Sequence, residues 1–141
     1  MMKDLTIVLD NEAVQALMDR SHRKHRNVVA YVESASARNV RRAGWMRLIV
    51  PTTVRVEAAW DRRQASAARI NQLGIADSPL DKDAADRAAK LCDTLRVSAA
   101  DAHLAAVLEN TRGPHAVVTS DRKDIGRIAA HIGIKLEIVA V

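Results

Sequence analysis

The sequence predicts an α/β domain in which helices cover both faces of a parallel sheet of about five strands. Short apolar runs of strand length alternate along the chain with longer stretches of helical periodicity. Runs such as residues 5–9 and 116–119 are apolar almost throughout, which is typical of strands buried on both faces. The 141 residues, 48% of them hydrophobic, fit one domain spanning 1–141 with a sizeable core.

The predicted strands and helices alternate in order along the chain. The predicted strands are 5–9, 47–50, 75–76, 116–119 and 135–139. The predicted helices are 11–19, 23–42, 51–62, a stretch ending near 73, 82–95, 98–112 and 121–132. Pro51 suits the first turn of a helix, and Gly74 suits a helix end. Parallel strands need such helical crossovers, so a three-layer α/β/α arrangement follows.

Basic residues concentrate in one segment. Between residues 20 and 47 there are eight bases and one acid, a local charge of +7 against +5 for the whole chain, so the remainder carries −2. A basic segment beside a slightly acidic remainder predicts a polyanionic partner, although a solvated helix face would show the same pattern. The bases expected to hold that partner are Arg23, Lys24, Arg26, Arg38, Arg41 and Arg42.

Composition disfavours several classes of protein. Cys92 is the single cysteine, so no intrachain disulfide can form. The first apolar run ends at Asp10 and is too short for a signal peptide or a membrane span, so we expect a cytoplasmic protein without a membrane partner. Two Trp and one Tyr are too few for a fold that stacks RNA bases on aromatic side chains.

Four acids are expected at one edge of the sheet. Asp10 follows the first predicted strand directly, and Asp121 follows the fourth. Glu57 lies on the helix after the second strand, and Asp101 lies in the first turn of the helix before the fourth. The carboxyl ends of parallel strands share one edge, and ligands bind there where the strand order reverses. If the first and fourth strands are neighbours, Asp10 and Asp121 face each other across that point.

Each of these acids also has an ordinary structural explanation. An aspartate at a helix N-terminus accepts hydrogen bonds from free N–H groups and complements the helix dipole. Ser98-Ala-Ala-Asp101 matches a capping box, and Asp121 can cap its own helix. Glu57 is harder to explain in this way, because apolar residues flank it on both sides and an unpaired carboxylate among them would be costly.

Carboxylates without a Cys/His cluster predict a hard cation. Oxygen ligands suit Mg²⁺ or Mn²⁺, and the five histidines show no zinc-ligand spacing. The chain has no Gly-rich phosphate loop and no G-x-S-x-G motif, so covalent catalysis is disfavoured. Acids that bind a metal beside a basic surface predict hydrolysis of a phosphodiester by metal-activated water. The basic segment would hold a nucleic-acid backbone without reading its sequence.

Four segments together resemble the PIN-domain nucleases. They are Ile7-Val8-Leu9-Asp10, Val50-Pro51-Thr52-Thr53 followed by Glu57, Ala99-Ala100-Asp101-Ala102, and Val118-Thr119-Ser120-Asp121-Arg122-Lys123-Asp124. The similarity spans essentially the whole chain, and its size and spacing resemble the VapC toxins of bacterial type II toxin–antitoxin pairs. The order and spacing of the segments carry the similarity, since no single motif is specific.

The resemblance implies a PIN-like fold and an Mg²⁺- or Mn²⁺-dependent endoribonuclease. It also implies a homodimer and a small VapB-like antitoxin whose C-terminal segment covers the active site. The catalytic, metal-binding acids it implies are Asp10, Glu57, Asp101 and Asp121. Asp124 falls on an additional metal-binding acid, and Thr119 or Ser120 falls on a hydroxyl position that helps to hold water or metal.

The residues after Asp10 bear on the alternatives. A phosphatase of the HAD type needs Asp-x-Asp there, whereas this chain has Asp10-Asn11-Glu12 and lacks the length for a cap domain. A receiver-type signalling domain needs a phosphorylatable Asp ending a central strand, which is not evident. Many PIN-domain relatives have Thr, Ser or Ala where Asn11 stands, and the pattern assigns no purpose to Glu12. A non-catalytic PIN-like module that binds RNA or a protein stays open.

Overall fold

The computed structural model describes residues 4–40 and 46–141, the side chains of residues 38–40 excepted. Its strands are β1 (Leu5–Leu9), β2 (Met46–Pro51), β3 (Ala76–Ser78), β4 (His115–Thr119) and β5 (Leu136–Ala140). Its α-helices are α1 (Asn11–Met18), α2 (His25–Val40), α3 (Thr52–Glu57), α4 (Ala68–Asn71), α5 (Lys82–Leu95), α6 (Ala99–Glu109) and α7 (Arg122–Ile132). The strands form one parallel sheet in the order β3-β2-β1-β4-β5.

Helices cover both faces of this sheet. Successive side chains of a strand point to opposite faces, so Ile7 and Leu9 of β1 pack into one apolar cluster and Val8 into the other. The first cluster contains buried residues of α1 and α2, such as Val14 and Val28. The second contains residues of α5, α6 and α7. The predicted three-layer α/β/α fold with a five-stranded parallel sheet is therefore confirmed.

The strand order reverses between β1 and β4. From β1 the chain adds β2 and β3 on one side of the sheet, and β4 and β5 lie on the other side. Leu9 is in register with Val118, and the Asp10 N–H donates to the Val118 carbonyl at 3.2 Å. The carboxyl ends of β1 and β4 are therefore neighbours at the reversal, which meets the condition under which Asp10 and Asp121 are expected to face each other.

The predicted helix over 51–62 is wrong. Pro51 is the last residue of β2, where it is in register with Ser78, and α3 ends at Glu57. Ala59 has a left-handed φ of 56°, and the Trp60 N–H donates to the Arg55 carbonyl at 2.9 Å. This turn places the Trp60 ring in the core, and burial of a large aromatic surface outweighs continuation of the helix.

The predicted helical stretch ending near residue 73 is also reduced, to one 3₁₀ turn (Ala65–Ala67) and the four-residue α4. The Arg62 guanidinium donates to the Asn71 side chain at 3.2 Å and to the Ile75 carbonyl at 2.7 Å. The Asn71 amide donates to the Arg62 carbonyl at 2.8 Å in return. In a longer helix, backbone carbonyls of this stretch would accept hydrogen bonds from backbone N–H groups. Here they accept from side chains instead.

Helix α2 matches the helix predicted over 23–42, except that it begins at His25. Val28, Val32 and Ala35 lie on its buried face, as their spacing predicts. The predicted end at Arg42 lies outside the described residues. None of the helices in the described ranges combines enough length and apolar character to cross a lipid bilayer.

Candidate active site

Asp10 is a buried carboxylate at the strand-order reversal. It is 8% exposed and caps α1, with Oδ1 accepting the Ala13 N–H at 3.0 Å. Burial raises its pKa, and repulsion from Asp101 and Glu12 acts in the same direction. Hydrogen bonds from the Thr119 hydroxyl and the Ala13 N–H oppose that rise in pKa without cancelling it. The ionised form of Asp10 is therefore short of stabilising charge.

Asp101 interacts electrostatically with the other acids at this edge of the sheet. Its N–H donates to the capping hydroxyl of Ser98 at 3.1 Å, as the capping box predicts. Its pKa is raised, first by burial and then by repulsion from Asp124, Asp121 and Glu57. We call the group that interacts in this way the acid cluster; it consists of Asp10, Glu57, Asp101, Asp121 and Asp124.

Thr119 joins the two acids that follow β1 and β4. The side chain is fully buried, and its hydroxyl lies close enough to the Asp10 carboxylate to lower the pKa of that group. The same oxygen accepts the Asp121 N–H at 2.9 Å. Asp121 in turn caps α7 by accepting the Asp124 N–H at 3.1 Å. Capping and membership of the acid cluster are therefore compatible roles for one side chain.

The expected environment of Glu57 is wrong. Glu57 is exposed at the end of α3, and the preceding Val56 is 80% exposed. Apolar neighbours in sequence did not produce apolar surroundings, because α3 is too short to bury this end. The buried acid is Asp10, although its sequence context is that of an ordinary helix cap. Glu57 nevertheless lies close enough to Asp101 to raise the pKa of that carboxyl.

A buried histidine connects the two helices that carry Glu57 and Asp101. His103 of α6 is fully buried, and its Nδ1 lies 2.8 Å from the hydroxyl of Thr53 on α3. Burial lowers the His103 pKa, so the ring is neutral at neutral pH. Nε2 has no hydrogen-bond partner of normal geometry among the described residues, although the Pro79 carbonyl is near enough to favour the protonated ring. No motif or spacing in the sequence indicates this pair.

Glu12 has a structural partner that sequence reasoning missed. Its carboxylate accepts from Lys24 Nζ at 2.9 Å and from the Ser120 hydroxyl at 2.5 Å. His22 Nε2 lies 3.9 Å away. These contacts tie α1 to the loop after β4 and to the segment before α2, and the bond from Ser120, followed by that from Lys24, lowers the Glu12 pKa. Ser120 thus bonds to Glu12, whereas Thr119 accepts the Asp121 N–H.

The acid cluster carries more negative charge than its surroundings balance. Among the described side chains, no ion pair includes Asp10, Glu57, Asp101 or Asp121, whereas Asp124 lies 4.0 Å from the Arg127 guanidinium. No three acidic, His or Cys side chains in these ranges are close enough together to enclose a metal ion. A hard cation such as Mg²⁺ retains several waters and binds through one or two carboxylates, so all-oxygen donors with unbalanced charge fit it without a closed cage.

The basic segment divides into three parts in the structure. Arg23 and Arg26 are exposed, whereas Lys24 is half-buried in its ion pair with Glu12. The side chain of Arg38 and all of Arg41 and Arg42 lie outside the described residues. A role of these six bases in binding RNA stays a prediction.

The architecture described above defines a class of fold: three layers, a parallel sheet, and acids at the strand-order reversal. A chain of VapBC2 from Rickettsia felis, solved bound to a DNA fragment from their promoter, has this fold, with a TM-score of 0.57 and 12% sequence identity. The match covers 94% of this chain and 98% of that chain. No protein-family profile and no curated protein matches the sequence. At such low identity the likeness concerns the fold alone.

Proposed function

We propose that this protein is a metal-dependent endoribonuclease, the toxin of a VapBC-type toxin–antitoxin pair. The observation that carries the proposal is the unbalanced charge at the strand-order reversal. Asp10 and Asp101 both have raised pKa values from burial and from neighbouring acids, and no described basic side chain pairs with either. Two half-desolvated carboxylates held together are costly to keep unless a cation binds them.

Asp10 and Asp101 are the residues that would hold Mg²⁺ or Mn²⁺, with Glu57, Asp121 and Asp124 around them. When bound, the cation would supply a lower pKa for the attacking water and charge to offset that of the scissile phosphate. The Ala13 N–H bonds to Oδ1 of Asp10 and so orients the carboxylate, and the Thr119 hydroxyl beside it favours the ionised form. The rigid ends of β1 and β4 set its separation from Asp121, and such preorganisation favours precise chemistry.

The partners of this proposal are an RNA substrate, a VapB-like antitoxin and a second copy of the chain. The fold likeness to a chain of a VapBC2 complex supports an antitoxin partner. The exposed Arg23 and Arg26 support a polyanionic substrate, because unpaired surface bases attract a phosphate backbone without sequence preference.

Cleavage of total RNA by the parent and by Asp10→Asn, with Mg²⁺, with Mn²⁺ and with EDTA, tests the proposal. Asn keeps the shape and the capping ability of Asp10 but removes its charge. We expect the parent to cut only with a divalent cation, and Asp10→Asn not to cut. Glu109→Gln is the matched control, since Glu109 is exposed at the other end of α6 from Asp101. Equal cleavage by the parent and Asp10→Asn in highly purified samples would contradict the proposal.

A non-catalytic module that binds RNA or a protein is the second candidate. The lack of three converging donor side chains in the described ranges favours it. It predicts that the parent and Asp10→Asn bind RNA equally and that neither cuts at any metal concentration. The mapping of cut sites on total RNA therefore separates the two functions in one experiment.

A further inference from the structure

The short helix α3 needs tertiary contacts to hold Glu57 in place. It has six residues, its N-cap is Pro51, and no side chain caps its first turn. A helix this short is not stable by itself, because nucleation is unfavourable and few hydrogen bonds follow it. After Glu57 the chain turns through the left-handed Ala59. The direction of the Glu57 side chain therefore depends on what anchors α3.

Several side-chain hydrogen bonds anchor α3, among them the one from the Leu80 N–H to the Thr52 hydroxyl at 3.2 Å. The Arg55 side chain donates to the Trp60 carbonyl at 3.2 Å and to Asp77 at 2.8 Å, which fixes the turn after the helix. The hydroxyl of Thr53 bonds to His103 Nδ1, which fixes α3 against α6. Thr53 lies four residues before Glu57, so both occupy one face of α3.

We infer that the Thr53–His103 hydrogen bond positions Glu57 against Asp101 and so sets the affinity of the acid cluster for a divalent cation. Both residues are positioning residues, since neither belongs to the acid cluster. The inference rests on the proposed function only in taking that cluster as a cation site. A neutral hydrogen bond on a fully buried histidine is well suited to this purpose, because it adds no charge to an already negative site.

Titration with Mn²⁺ of the parent, Thr53→Val and Thr53→Ser tests the inference. Val keeps the shape of Thr and removes the hydroxyl, whereas Ser keeps the hydroxyl. The readouts are the Mn²⁺-dependent rise in Tm and the Mn²⁺ concentration for half-maximal cleavage. We expect both half-saturation concentrations to rise about 10-fold in Thr53→Val, the scale of outer-shell substitutions at metal sites, and to return to the parent value in Thr53→Ser.

Thr6→Val is the matched control. Thr6 is buried, and its hydroxyl donates to the Arg112 carbonyl at 2.6 Å. This hydrogen bond lies at the amino end of β1, which is the edge of the sheet opposite the acid cluster. The substitution should lower the Tm without cation while leaving the Mn²⁺ half-saturation unchanged. A Thr53→Val variant that behaves like Thr6→Val would overturn the inference. Thr53→Ala replaces Thr53→Val if far-UV circular dichroism shows the latter to be unfolded.

The outcomes separate this inference from the proposed function. If the parent protein binds Mn²⁺ but cuts no RNA, the proposed function is contradicted. The Tm titration alone then decides whether Thr53 has the positioning role. An active parent with unchanged Mn²⁺ half-saturation in Thr53→Val contradicts the positioning role alone. A parent whose Tm and activity do not respond to Mn²⁺ overturns the inference, since there is then no cation site to position.

Discussion

The buried hydroxyl of Thr119 lowers the pKa of the neighbouring Asp10 carboxyl and accepts the N–H of Asp121 at 2.9 Å. One buried side chain thus links the ends of β1 and β4. The two acids belong to strands that are distant in sequence and adjacent in the sheet. Their relative position is fixed by the strand pairing and by this hydroxyl together.

Removal of the Thr119 hydroxyl should affect both stability and activity. Thr119→Val leaves the Asp121 N–H without its partner and removes a hydroxyl that favours the ionised form of Asp10, which we expect to lower the free energy of unfolding by about 1–3 kcal/mol. RNA cleavage should fall because the ionised form of Asp10 becomes less favoured. Urea denaturation and a cleavage assay measure the two effects. Thr119→Ser should restore both, and failure of that rescue would argue for a packing role of the methyl group alone.

The raised pKa values of Asp10 and Asp101 predict how stability without metal depends on pH. Below the ordinary value near 3.8, both carboxyls are protonated in the folded and unfolded states. As the pH rises through the window above 3.8, the unfolded state releases these protons first, so the free energy of unfolding falls. In EDTA, Asp10→Asn should therefore gain stability relative to the parent between acid and neutral pH.

Urea denaturation in EDTA at several pH values from 3.5 to 7 checks this prediction, with steps of about half a unit across the window where the carboxyls titrate. Glu109→Gln, which removes an exposed acid outside the cluster, serves as the control. A constant stability difference between the parent and Asp10→Asn across this range would contradict the assigned direction of the Asp10 pKa.

Divalent cations should stabilise the parent and not Asp10→Asn. A ligand that binds only the folded state adds about 2.7 kcal/mol at 100 times its dissociation constant, so saturating Mg²⁺ or Mn²⁺ should raise the Tm of the parent clearly. The same cation should also abolish the higher stability that Asp10→Asn has over the parent in EDTA. Thermal unfolding at constant ionic strength, with Na⁺ replacing the divalent salt, checks the result. An equal Tm rise in both proteins would indicate non-specific screening.

Glu12 should contribute to stability and not to catalysis. Its charge is balanced by Lys24, and the pair is more than a third exposed on the Glu12 side, so its loss should cost below about 1 kcal/mol. Glu12→Gln should keep the parent's cleavage rate and Mn²⁺ dependence. Because the Glu12 pKa is lowered, its stabilising effect should be lost as the pH falls below the ordinary value of 4.5. A large loss of cleavage would show that Glu12 belongs to the metal site.

The bases of the basic segment should differ in their effect on RNA binding. Arg23 and Arg26 are exposed, whereas Lys24 is occupied by Glu12. Arg23→Gln with Arg26→Gln should reduce the slope of log affinity against log salt by about 0.7 for each lost phosphate contact. Lys24→Gln should change the slope less. Binding measured with Asp10→Asn as the background avoids cleavage during the titration.

Arg112→Gln with Lys135→Gln is the matched control for charge. Both bases are exposed just before β4 and β5, at the amino edge of the sheet and away from the acid cluster. Neutralisation of Arg38, Arg41 and Arg42 tests the rest of the basic segment. A salt slope unchanged by either set of substitutions in the basic segment would mean that it is a solvated surface.

The fold and the location of the acids could be predicted because their signals are local. A strand buried on both faces has a continuous apolar run, and β1 begins and ends where that run does. Asp10 and Asp121 follow their strands directly, so a parallel sheet brings them to one edge whatever the loops do. The helix over 51–62 failed for the opposite reason: the turn at Ala59 depends on the burial of Trp60, which a local pattern does not contain.

Local sequence patterns were enough to predict the layered parallel sheet, the order of its alternating elements and the edge at which the acids lie. Tertiary packing determines which acid is buried, since Asp10 lies inside and Glu57 outside, against the expectation from their neighbours. It also determines the partners, such as Glu12 with Lys24 and Thr53 with His103. The physical reason is that periodicity and capping act over a few residues, whereas burial and pairing depend on packing between elements far apart in the chain.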